Sequence, residues 1–166
     1  MKTDRIAKYS LLIALAMILS YLEAQIPAFF AVPGMKLGLT NVVVLTALYL
    51  MDAKSAMLIN LLRIFLVSVM FGNGMSLAYS AAGGILSGIV MILLKRTGKF
   101  SIVTVSAAGG VCHNVGQVLV AMALLETRSL GWYLLILWFT GLAAGLAIGI
   151  LGGMLVKRLE QFSDKR

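Results

Sequence analysis

Apolar residues run along this chain in long blocks, broken by short gaps that hold most of its charges. A helix needs about 20 predominantly apolar residues to cross the hydrocarbon core of a bilayer. On that measure the pattern predicts spans at about 8–26, 37–51, 54–72, 75–95, 101–125 and 130–156. The expected fold is therefore all-α, a polytopic integral membrane protein of about six transmembrane helices, forming a single domain over residues 1–166. The second block is the shortest. Ahead of it, across 24–40, Gln25, Pro27, Pro33, Gly34 and Lys36 interrupt the pattern. Proline removes a backbone donor and ends or kinks a helix. This stretch reads as a loop or re-entrant segment outside the membrane, folding back onto the protein through Ile26, Phe29, Phe30 and Val32.

Composition supports a lipid solvent. Apolar residues make up 61% of the chain and charged ones only 12%, where a soluble domain holds about a quarter charged. Fourteen basic residues face six acidic ones. The cations sit in the gaps between apolar blocks, which marks topology rather than a nucleic-acid surface. With the N-terminus inside, the inner side holds 11 of the 14 cations: Lys2, Arg5, Lys8, Lys54, Lys95, Arg96, Lys99, Lys157, Arg158, Lys165 and Arg166. Lys36 and Arg128 fall outside, and Arg63 lies within a span. Both ends are thus expected in the cytoplasm (N-in, C-in), with Trp132, Tyr133 and Trp138 near the outer interface. The basic start resembles a signal peptide, but no clear cleavage site follows and more spans come after it, so it reads as a retained first helix. The single Cys112 excludes an internal disulfide and a cysteine-rich metal site.

Small residues recur at four-residue spacing. Gly141, Gly145, Gly149 and Gly153 form a stripe on the last span, and Gly84 and Gly88 a shorter one on the fourth. The first span carries Ser10 and Ala14, then Ala16, Ser20 and Ala24. Lipid offers no hydrophobic drive between helices, so close backbone approach along such faces holds them together. Each stripe reads either as internal packing or as the docking face for a separate membrane subunit. The first helix, through Ser10, Ala14, Ala16 and Ser20, is the better docking candidate.

Polar side chains in mid-span are costly unless paired or hydrated, so they carry the functional signal. Arg63, with Asn60 one turn before it, either lines a polar cavity or pairs with Glu23 or backbone carbonyls. His113, Asn114 and Gln117 lie together in the fifth span, with 113 and 117 on one face. They read as ligand contacts or as a satisfied structural cluster. A metal site is not expected, since there is one histidine and Cys112 points about 100° away from it. Asn41 lies in the second span. Lys36 would stand at the outer mouth of the bundle, or snorkel there. Ser76, Tyr79 and Ser80 begin the fourth span at the same level. Together Lys36, Asn41, Arg63, Tyr79 and His113 would surround one outward-opening cavity for an anionic or phosphate-bearing ligand. No cofactor is expected. There is no Walker lysine in a glycine-rich loop, and Asp4, Asp52 and Asp164 are isolated, unlike the aspartate-rich motifs that hold magnesium and diphosphate. The chain reads as a non-enzyme, and active transport would need an outside motor.

Three segments carry a family resemblance. Pro33-Gly34-Met35-Lys36-Leu37-Gly38-Leu39-Thr40-Asn41 is similar to a P-x-x-K-L-G-L-x-N block. Leu62-Arg63, then Phe71-Gly72 and Ser80-Ala81-Ala82-Gly83-Gly84, look like a second block, and His113-Asn114-Val115-Gly116-Gln117 like an H-N-x-G-Q block. These resemble the Gx transporter family, also labelled heptaprenyl diphosphate synthase component I, over nearly the whole chain. That family is grouped with the substrate-binding S components of energy-coupling factor transporters. The resemblance implies a multi-pass protein of the prokaryotic cytoplasmic membrane that captures a small solute outside. It implies partners too: a transmembrane scaffold (T) subunit and two cytoplasmic ATPases. Serine replaces one alanine of the helix-one docking pair here. Two other readings stand beside this one: a membrane partner of polyprenyl diphosphate or quinone synthesis, and a stand-alone secondary transporter.

The orientation is directly testable. Reporters active only in the cytoplasm, fused to either terminus, should both be active, and a thiol placed at position 73 should react with an impermeant maleimide added from outside. Silence of either terminal reporter would reverse or break the topology.

Overall fold

The computed structural model describes residues 2–25, 38–126 and 131–163. Every regular element among them is helical. The order is α1 (Lys2–Gln25), α2 (Asn41–Leu50), α3 (Ala53–Phe71), α4 (Gly74–Thr97), α5 (Ile102–Leu124) and α6 (Tyr133–Ser163). Five of these are long and apolar enough to cross a membrane. The second is corrected: the expected span at 37–51 contains a helix of only 10 residues. At 1.5 Å per residue it is about 15 Å long, roughly half a hydrocarbon core. Gly38, with φ +83, and the turn at Leu39–Thr40 break the pattern before it. The expected loop at 24–40 lies largely outside the described residues.

Short polar sequences set the helix boundaries. Asp52 begins α3 by accepting from the Ser55 N–H at 2.8 Å, and Asn73 begins α4 by accepting from the Ser76 N–H at 2.8 Å. Ser101 caps α5 in the same way through Thr104 N–H at 3.2 Å. Such side chains satisfy backbone donors that have no partner inside the helix. Gly98, at φ +67, closes α4 in a left-handed cap just after Lys95 and Arg96, where cations favour the negative helix end.

Neighbouring helices pair as α3 with α4, α4 with α5, α5 with α6, α6 with α2 and α2 with α3, which closes a ring of five. α1 packs on the outside of this ring, against α3 and α2. Lys8, Lys54, Lys95, Arg96, Lys99, Lys157 and Arg158 all fall at one end of the bundle, the cytoplasmic end by the positive-inside rule. Trp132, just before α6, and Tyr133 and Trp138 in its first turns lie at the other. Large apolar side chains such as Leu11, Phe65, Val69, Leu135 and Ile150 are exposed around the outside, where lipid would cover them.

Glycine sets how closely the ring closes. A Cβ on Gly110 would collide with the Gly141 carbonyl oxygen, and one on Gly145 would lie 2.7 Å from Ala107 Cα. Gly149 meets Val103 Cα at the same 2.7 Å. The α6 stripe is therefore internal packing against α5. On α4, Gly84 and Gly88 face Asn60 and Met57 of α3.

Gly110→Ala should destabilise the bundle by about 1–3 kcal/mol, the range for forcing atoms into a packed interior. Gly74→Ala, where an added Cβ meets nothing within 4 Å, should stay within about 0.5 kcal/mol. Thermal unfolding in mild detergent compares the two.

Candidate functional site

Two buried polar groups meet in the ring, one on either side of α4. The first is centred on Arg63, which is only 6% exposed. Its Nη2 donates to Asn60 Oδ1 at 2.8 Å, and Asn60 Nδ2 donates to the Gly84 carbonyl at 3.0 Å. The Glu23 carboxylate of α1 attracts the guanidinium and also accepts from the Gly38 N–H. Arg63 Nε has no hydrogen-bond partner among the described residues. Gly84 is required at this crossing, because a Cβ there would lie 2.6 Å from Ile64 Cδ1 and 3.1 Å from Asn60 Nδ2. An isolated arginine at this depth would be severely unfavourable, whereas a paired and hydrogen-bonded one is tolerated.

The second group stands on α5. Gln117 Nε2 and His113 Nε2 lie 2.9 Å apart, one turn along the helix. Asn114 points the other way and donates to the Leu137 carbonyl of α6 at 2.7 Å. Gly141 makes room for it, since a Cβ at that position would sit 2.8 Å from Asn114 Nδ2. Gly83 allows α4 to press on His113 and Gln117, with its would-be Cβ 2.7 Å from the His113 carbonyl. Gln117 Oε1 is buried without a partner among the described residues.

Between α2, α4, α5 and α6 lies a narrow cleft whose free space is about 10 Å³, room for roughly one water molecule in this closed state. Its polar lining is Asn41, Ser106, His113 and Asn114, and its apolar lining includes Met91, Ala144 and Ile148. Gly109, Gly110, Gly141 and Gly145 form the wall between α5 and α6. Asn41, Ser106, His113 and Asn114 are each less than a tenth exposed. Such a set offers amide, hydroxyl and imidazole donors and acceptors in a place where water competes weakly.

The expected constellation is thus divided. Asn41, His113 and Asn114 share the cleft. Gln117 supports His113 from behind. Arg63 belongs to the neighbouring Asn60–Glu23 group and is not among the described lining. Tyr79 is half-buried near the start of α4, also away from the cleft lining. Lys36 lies outside the described residues. No group of three His, Cys, Asp or Glu side chains that could hold a metal occurs among the described residues. On α1, Ser10 and Ala14 are exposed, while Ala16 is fully buried and Ser20 hydrogen-bonds to Thr40 at 2.8 Å. Only the first pair is therefore on the outer surface of this chain. Ser106 was missed by the sequence reading. Its spacing to His113 (two helical turns on one face) was the available signal.

No curated protein and no solved structure matches the chain. The heptaprenyl diphosphate synthase component I family does match it, over residues 12–155. With its buried arginine and its histidine–amide cluster both inside that matched region, the chain belongs to the heptaprenyl diphosphate synthase component I family.

Proposed function

We propose that this protein is a membrane-embedded solute-binding subunit, of the S-component type found in energy-coupling factor uptake systems. The observation that carries the reading is the cleft. Four buried hydrogen-bonding side chains, Asn41, Ser106, His113 and Asn114, come from two different helices and converge on it. Asn114 is tied to the Leu137 carbonyl and His113 lies against Gln117, yet both still border the opening beside Asn41 and Ser106. A mostly apolar wall with a few placed polar groups is the pattern of a small-molecule site.

The solute is read as small and polar. Arg63 is engaged by Asn60 and Glu23 and is not offered to the solute. The protein itself would carry out no chemistry. Uptake against a gradient would draw on partners, a transmembrane scaffold and two cytoplasmic ATPases, in the plasma membrane of a prokaryote. The exposed Ser10 and Ala14 of α1 would meet that scaffold.

The family's name favours a second reading, in which the chain is the membrane component of a polyprenyl diphosphate synthase and acts on its soluble partner rather than on a solute. A "component" designation supports separate partner subunits in either case.

Purification of the tagged protein in mild detergent, with mass spectrometry of retained proteins and small molecules, distinguishes them. Recovery of two ATPases and a multi-helix scaffold is expected, while recovery of a soluble prenyl synthase alone would move the function to the second reading. Any solute retained by the wild type should be lost from Asn41→Ala and His113→Ala, each weakening binding about tenfold, the effect of roughly 1.4 kcal/mol from a buried hydrogen bond. Unchanged retention in both would remove the cleft as the site.

A further inference from the structure

Helix α2 occupies the place of a full span at half the length. Its first residue, Asn41, lines the cleft, and Val43 to Leu48 are then all buried. Leu45 and Leu48, at 0% and 1% exposure, pack with Met91, Val105 and Ile148. Met91 and Ile148 are also cleft lining. Leu45 fills the space in front of Gly152, where a Cβ would come within 2.7 Å of its Cδ2. Gly152 lies two turns beyond Gly145 of the cleft wall, towards Lys157. The body of α2 is therefore an apolar plug between the cleft and the lysine-bearing end of the bundle.

Side chains of other helices hold this plug at both ends. At its start, Thr40 pairs with Ser20 at 2.8 Å and the Gly38 N–H with Glu23. At its end, Lys95 of α4 donates to the Leu48 carbonyl. The chain turns into α3 directly after α2, so this carbonyl is among those a helix end leaves without an internal donor. The same ammonium lies 4.8 Å from the centre of the Tyr49 ring and is attracted by Asp52. A lysine near the membrane surface would ordinarily extend to water. Arg96 and Lys99 beside it are exposed, whereas Lys95 turns inwards onto α2.

We propose that Lys95 is a positioning residue that clamps α2 as the plug beneath the cleft, and that the way from the cleft to the lysine-bearing end opens when this clamp releases. The charge-assisted hydrogen bond and the ring contact both hold the end of α2, so losing them frees the helix at the side where the plug must move. The proposal uses the cleft and the plug and does not depend on which solute binds.

The test uses thiol reporters in a Cys112→Ala background, in inverted and right-side-out membrane vesicles. Ser106→Cys reports on the cleft, and Ser68→Cys, buried towards the other end of α3, reports on general loosening. The probe is an impermeant maleimide. Lys95→Met should raise labelling of Ser106→Cys from the lysine-bearing side about tenfold, the population shift expected from losing a charge-assisted hydrogen bond. Lys95→Arg should keep the wild-type rate, and Ser68→Cys should stay protected in both variants. An unchanged rate at Ser106→Cys in Lys95→Met, or an equal rise at Ser68→Cys, would overturn the proposal. No solute enters the readout, so it can fail while the binding function stands, and the reverse.

Discussion

Hydrocarbon cannot hydrogen-bond, and this constraint orders the rest of the molecule. Each polar side chain inside the bundle must find its partner within the protein. Arg63 takes Asn60 and the charge of Glu23, Asn60 takes the Gly84 carbonyl, and Asn114 takes the Leu137 carbonyl. The Asn60–Gly84 and Asn114–Leu137 bonds each tie two helices together at a fixed depth, and the Arg63–Asn60 bond within α3 orients the amide that makes the first of them. In a solvent that supplies no hydrophobic drive between helices, such ties and close packing together hold the ring closed.

Glycine makes those ties geometrically possible. Gly84 lets Asn60 reach a backbone carbonyl, Gly141 lets Asn114 do so, and Gly83 brings α4 onto His113. A methyl group at any of these positions would push the helices apart and leave an amide stranded, at a cost of about 1–3 kcal/mol for the lost partner alone. The stripe on α6 and the polar residues facing it are therefore one device: small residues bring backbones within reach of long polar side chains.

Helix α2 shows how an irregular element becomes useful. A full-length span would close the ring through its whole height. A helix of 10 residues closes only part of it, leaving Asn41 at the level of the cleft and an apolar body below. Its ends are held by hydrogen bonds from α1 and α4 rather than by its own length. The cleft and the Lys95 contact thus share this short helix, with Asn41 at one end and Leu48 at the other.

Much of the fold was legible in the residues. Apolar blocks long enough to cross a bilayer reveal five of the helices, and the placement of lysine and arginine orients them, because insertion depends on local composition alone. The cost of burying charge in lipid singles out Arg63 and His113 in the same way. The length of α2 was not legible: the apolar block at 37–51 runs past both of its ends, and only the backbone at Gly38–Thr40 sets where the helix begins. Nor was the split between Arg63 and the cleft. Which neighbour a buried polar group meets depends on how deep each helix sits and which way it is turned. Glu23 claims Arg63 because α1 packs on α3, and Lys95 reaches Leu48 because α4 and α2 end at one level. Composition and periodicity determine that such groups are buried in lipid; only the packed ring decides with whom.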